Sequence, residues 1–217
     1  MRRIVLLSLA LPLCLSVQAV AQTCVGMPSF AAGRMQVSGG AQFADGASSV
    51  GASFGYGSPK GLYGKAGIGS TSYDAFDGSS FDLNFAGGYQ IRMQHRAAEL
   101  CPVASLSLGS GPNDVLGSGV DMSNRTFAFG AAFGGSVGRN PQVRILPNAS
   151  FQFANTRVTL DNGTSSPSDS ETYGLLTLGT GFVFNSRYSL NPAINIPIGL
   201  DGGDASFGLM GAINFGR

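Results

Sequence analysis

The last stretch of the chain, Ala205 to Arg217, alternates along its length. Phe207, Leu209, Ile213 and Phe215 fall on one side of an extended strand, and Gly208, Met210, Ala212 and Asn214 fall on the other. A period of two excludes a helix. A strand with such unlike faces must separate two different surroundings, and the pattern recurs about ten times with turn residues between, so it sets the fold.

The beginning of the chain obeys a different rule. Arg2 and Arg3 precede an apolar run from Ile4 to Leu15, and Ala19-Val20-Ala21 supplies the small residues that a signal peptidase recognises. The expected organisation is a signal peptide at 1–21, a periplasmic N-terminal segment at 22–33 and a barrel at 34–217. The apolar run is shorter than the roughly 20 residues a membrane-spanning helix needs. Leu13 before Cys14 and Thr23 before Cys24 fit a lipoprotein signal poorly.

Charge narrows the surroundings. Without Arg2 and Arg3 the basic count falls from 13 to 11 against 12 acids, so no bulk charge points to nucleic acid. Charged residues make up 12% of the chain, where a soluble domain averages roughly 25%. A surface facing lipid explains that deficit. Trp is absent, so an aromatic girdle must come from Tyr and Phe. The expected fold class is all-β, a transmembrane antiparallel up-and-down barrel of about 10 strands, with 8 as the alternative. A secreted soluble β-sandwich also alternates and is the third possibility.

The pattern predicts strands at about 34–44, 48–57, 62–70, 80–93, 103–109, 125–137, 142–154, 172–184, 190–198 and 205–217. Phe81, Leu83, Phe85, Tyr89, Ile91 and Met93 share one face of the fourth, while Asp82, Asn84, Gln90 and Arg92 share the other. A charge on the lipid face near mid-membrane costs roughly 2–4 kcal/mol, so the polar set faces inward. The expected polar lumen lining is Lys65, Asp82, Asn84, Arg92, Arg144 and Gln152. Small residues at Ala128, Gly130, Ala132 and Gly134 are expected to leave space in the lumen. Pro147 falls within a strand and, lacking a donor, calls for a bulge.

An even strand count puts both termini on one side of the membrane, expected to be the periplasm. Turns near Ser58, Arg139 and Asn185 are then periplasmic, and loops at 71–79, after Ser110 and at 155–171 are external. Ten acids (Asp45, Asp74, Asp77, Asp114, Asp121, Asp161, Asp169, Glu171, Asp201, Asp204) fall outside, and Lys60, Arg96, Arg139 and Arg187 fall inside. Cys24 and Cys101, the latter in a turn after the fourth strand, share the periplasmic side and are the expected disulfide.

With this closing strand, the leader and the alternating loops, residues 34–217 resemble the small outer-membrane β-barrel proteins of Gram-negative bacteria. The resemblance implies folding by the barrel-assembly machinery through a C-terminal aromatic, here Phe215, two residues short of the end. It also implies contact with outer-membrane lipid. Because the external loops are acidic, contact with lipopolysaccharide is expected to run through divalent cations. Barrel enzymes use His with Ser or acidic partners, but His95, the single histidine, falls on the periplasmic side. Asp74, Asp77 and Asp82 lack the spacing of a calcium loop. No catalytic, metal or cofactor site is expected. The expected function is a non-catalytic structural or surface-interaction role in the cell envelope; the alternative is porin-like passage of small solutes.

Overall fold

The structure, a computed structural model, describes residues 35–58, 60–74, 78–92, 98–111, 120–137, 142–161, 163–185, 187–200 and 203–215. The leader, the 22–33 segment, Cys24, Asp77, Met93, His95, Arg96, Asp114, Arg139, Asp201, Gly216 and Arg217 lie outside them.

The strands are β1 (Met35–Ala44), β2 (Ala47–Gly57), β3 (Leu62–Tyr73), β4 (Ser79–Tyr89), β5 (Ile91–Arg92), β6 (Ala98–Ser110), β7 (Asp121–Gly135), β8 (Val143–Asp161), β9 (Ser168–Phe184), β10 (Tyr188–Ile198) and β11 (Ser206–Phe215). All pairings are antiparallel, and β1 pairs with β11 to close the sheet. β4 and β5 both pair with β6 and are successive pieces of one wall strand, which makes a ten-stranded barrel.

The ladders also fix the slant. The row that leaves β1 at Met35 runs through Tyr56, Gly64, Gly87, Ala104, Phe129, Phe153 and Gly174 to Ile198, the last residue of β10. It climbs from the end of the wall that carries the start of β1 and the end of β11, the expected periplasmic end, to the opposite, external end. The return to β1 is offset by about 12 residues, which tilts the strands by about 40°.

Burial resolves which face looks where. Val37, Phe54, Ile68, Phe85, Phe129, Phe153, Ile194 and Leu209 are exposed, while Gln36, Lys65, Asp82, Gln152 and Asn195 are buried. The apolar face looks outward, the reverse of a soluble core. Tyr56, Tyr89 and Tyr188 stand outward at the periplasmic end and supply the girdle there without tryptophan. Arg187 lies over the Tyr188 ring, 5.7 Å from its centroid. Asn185, at φ 49°, takes the left-handed position in the β9–β10 turn.

Three prolines interrupt the ladders in one manner. Pro102, Pro147 and Pro192 are each the fifth residue of their strand, β6, β8 and β10. Each keeps its pairing on one side, with Ala131, Thr180 and Leu209 respectively. On the other side the pairing stops and resumes in the same register: Gly88↔Val103 then Ile91↔Leu100, Gly134↔Asn148 then Val137↔Ile145, and Ala193↔Gly179 then Leu190↔Phe182. No extra residue is inserted, so the bulge expected at Pro147 does not form. The barrel accommodates the missing donor as a gap. The break between β4 and β5 at Gln90 is one of these gaps, facing Pro102 and Cys101.

Five strands run three or more residues beyond the apolar pattern. β3 runs on to Tyr73, β6 begins at Ala98, β7 begins at Asp121 and β8 runs to Asp161. Most of the expected external loop at 155–171 is therefore a hairpin, with β9 starting at Ser168. Its residues Ser168 to Tyr173 extend past Gly174, the last partner of β10. Above the membrane the alternation changes sense. Val158 and Leu160 point inward, and Asn155 and Arg157 point outward, because the outer medium there is water.

Candidate functional site: the barrel lumen

The lumen is stratified along its axis. At the periplasmic end Tyr63, Cys101, Val103, Ala132 and Ala212 form an apolar cluster. At the external end Ala47, Tyr73, Met122, Val158 and Leu160 form a second. A third joins Ala128, Ala154, Tyr173 and Leu175, and Leu200, from the segment after β10, packs against it. Between these lies a polar belt.

Much of the belt is tied strand to strand. Gln36 Nε2 donates to Asn214 Oδ1 (2.9 Å), Gln42 Nε2 to Ser206 Oγ (2.7 Å) and Thr177 Oγ1 to Asn195 Oδ1 (2.9 Å). Hydroxyl pairs Ser38–Ser53 (2.6 Å) and Thr126–Thr156 (2.9 Å) add two more rungs. Gln90 Nε2 donates to Glu99 across the β4–β6 gap. Other buried polar atoms have no partner among the described residues, including both amide atoms of Gln152 and of Asn124, Asn84 Oδ1 and Ser105 Oγ. Such groups require water or an ion.

A cavity of about 120 Å³ opens on one side, lined by Ser38, Ser53, Lys65, Thr71, Asp82 and Asn84 among others. It lies against β1–β4, β6 and β11. The small residues of β7 were expected to provide the space and do not. Ala128 and Ala132 are fully buried, because Tyr173, Leu175 and Cys101 fill the volume in front of them. The space comes instead from Gly40, Gly51, Gly67 and Gly69 with their serine neighbours.

The expected lining residues divide. Lys65, Asp82 and Gln152 are buried and inward, and Asn84 and Arg144 are half-buried on the inward face. Arg92 belongs to β5, but its side chain is outside the described set. Lys65 and Asp82 are not brought together: Asp82 faces Gly69, four positions along β3 from Lys65. Lys65 Nζ lies 3.9 Å from Met210 Sδ, while the Thr71 hydroxyl hydrogen-bonds Asp82.

Cys101 is an inward, fully buried residue of β6 and not part of a turn. The expected strand at 103–109 stopped short of it, because Pro102 and Glu99 hid the alternation. Thr71 and Asn124 were missed as lining residues for a similar reason. Both keep the parity of recognised inward positions, Lys65 and Ala128, yet lie beyond the last apolar outward neighbour.

No protein-family model matches the sequence, and no curated protein matches it. Solved structures do resemble the fold. The translocator domain of the autotransporter NalP from Neisseria meningitidis aligns with TM-score 0.50 and 9% identity, over 93% of this chain and 94% of that one. The N-terminal β-barrel domain of Pseudomonas aeruginosa OprF gives 0.39 and 14% over 85% and 98%. Ail, the attachment invasion locus protein of Yersinia pestis, gives 0.43 and 12% over 85% and 99%. At 9% identity the likeness to the NalP domain is one of fold alone.

Proposed function

We propose that this chain is an exported outer-membrane barrel, processed after Ala21, whose closed lumen serves stability and whose outer surface serves the envelope without catalysis. The observation that carries this reading is the pair of apolar clusters at the two ends of the lumen, together with the third cluster against which Leu200 packs. Water-filled pores are lined by polar side chains along their length. A cavity of about 120 Å³ in a lumen so plugged suits bound water better than continuous flow.

The β7–β9 wall is the surface best placed for contact. Asp121 and Asp161 stand directly opposite one another on its outward side, as do Arg125 and Arg157 four residues lower. Like charges in such positions repel, and a divalent cation between the carboxylates relieves that repulsion. This supports contact with lipopolysaccharide phosphates through divalent cations, with the arginines at headgroup level. Outer-membrane lipid and the barrel-assembly machinery complete the set of partners proposed.

Reconstitution into planar bilayers tests the reading. The expected result is no stepwise current across the voltage range; discrete conductance steps would overturn it and favour porin-like passage, the reading that the polar cavity favours. Membrane fractionation and heat-dependent gel mobility test the location, and a soluble, detergent-free monomer would exclude it.

A further inference from the structure

We propose that the external half of the lumen holds a monovalent cation between Asp82 of β4 and Asn124 of β7. Asp82 is 2% exposed and Asn124 5% exposed. Strand β6 runs between the two, and its residue at that level is Gly109, which pairs with both: Asp82↔Gly109 and Gly109↔Asn124. A Cβ on Gly109 would sit 2.5 Å from Asp82 Oδ1, 2.5 Å from Asn124 Oδ1 and closer still to Asn124 Nδ2. The Asp82 carboxylate and the Asn124 amide therefore converge over a residue with no side chain, and their two oxygens lie at most about 5 Å apart. That separation accommodates a hard cation bonding each oxygen at about 2.4 Å.

The convergence is not explained by bonds within the protein. Neither amide atom of Asn124 has a hydrogen-bond partner among the described residues. Asp82 is hydrogen-bonded by Thr71, and its register keeps it four positions from Lys65. A carboxylate in this setting requires a counter-charge, and an uncompensated buried amide oxygen costs free energy of its own. One cation answers both needs. The oxygen donors are one carboxylate and one amide carbonyl, with water from the adjoining cavity. A single negative charge matches a monovalent ion; divalent ions draw on several carboxylates or on phosphate. The site is independent of whether the lumen conducts.

The test uses the full mature protein in neutral detergent at pH 8. Choline chloride is replaced stepwise by lithium, sodium or potassium chloride at constant ionic strength, and the urea unfolding midpoint is read. The expected result is a saturable rise in midpoint with at least one small cation. Asp82→Asn abolishes the rise, and Asn124→Ala shifts its half-maximal concentration upward at least tenfold. Where Asp82→Asn does not refold, the ²³Na line width of the unmodified protein gives the same reading, broadened by a bound fraction that lithium or potassium displaces and choline does not. A midpoint equal in choline and in all three cations, a rise that persists in Asp82→Asn, or a sodium line that the protein leaves unchanged would each overturn the proposal.

Discussion

Arg125 and Arg157 face each other across the β7–β8 ladder, and the exposed rings Phe129 and Phe153 face each other four residues below, their centroids 5.9 Å apart. The change from paired guanidinium groups to paired rings marks where the wall enters hydrocarbon. Two like charges directly opposite destabilise a ladder, and anionic headgroups reverse the sign. In neutral detergent Arg157→Gln is expected to raise the urea midpoint by the equivalent of about 0.2–1 kcal/mol. In lipopolysaccharide-containing bilayers the same substitution is expected to lower stability, and the two midpoints check this.

Glycines in this barrel are not equivalent. A Cβ on Gly130 would collide with the backbone carbonyl of Phe151, which cannot rotate away, whereas one on Gly64 would meet only the Ala86 carbonyl at 3.9 Å. Gly130→Ala is expected to destabilise by about 1–3 kcal/mol through overpacking. Gly64→Ala should change stability by less than about 0.5 kcal/mol. Parallel urea titrations of the two variants compare them directly.

Val137 N–H donates to the Ile145 carbonyl at 2.9 Å, so the outward pairs of the β7–β8 ladder are its hydrogen-bonded ones. Pro147 is opposite Gly135 in the same register and cannot donate to it. Pro147→Val restores that donor and is expected to stabilise by about 0.5–1.5 kcal/mol. Amide exchange at the restored position, slow in the folded barrel, reports whether the bond forms.

Cys101 points into the periplasmic end of the lumen. If Cys24 pairs with it, the segment before β1 must enter that mouth. The mature protein is expected to show no free thiol under denaturing, non-reducing conditions, and a non-reduced digest should join the two cysteine peptides. Losing the bond through Cys24→Ser is expected to cost about 2–4 kcal/mol.

Within the hydrocarbon the architecture was plain from sequence, because a lipid-facing strand must put Phe, Leu, Ile or Val at every second position. Phe127, Phe129 and Phe133 reveal β7, and Phe207, Leu209 and Ile213 reveal β11. Beyond the membrane the rule inverts, so Arg157 and Thr159 on the outside, with Val158 and Leu160 inside, looked like loop. Burial of Lys65, Asp82 and Gln152 followed from the charge penalty on the lipid face. The meeting of Asp82 with Asn124 did not. It depends on the register of three strands and on Gly109 between them, and alternation along one strand carries no information about its neighbours' offset.

The β8–β9 hairpin rises past the last β10 pair, so the outer rim is high on one side and low over β10, β11 and β1. The cylinder consequently has a compass direction. A molecule diffusing along the bilayer surface meets a parapet from one bearing and an open sill from the opposite one, and rotating the barrel about the membrane normal changes what it presents to a neighbour.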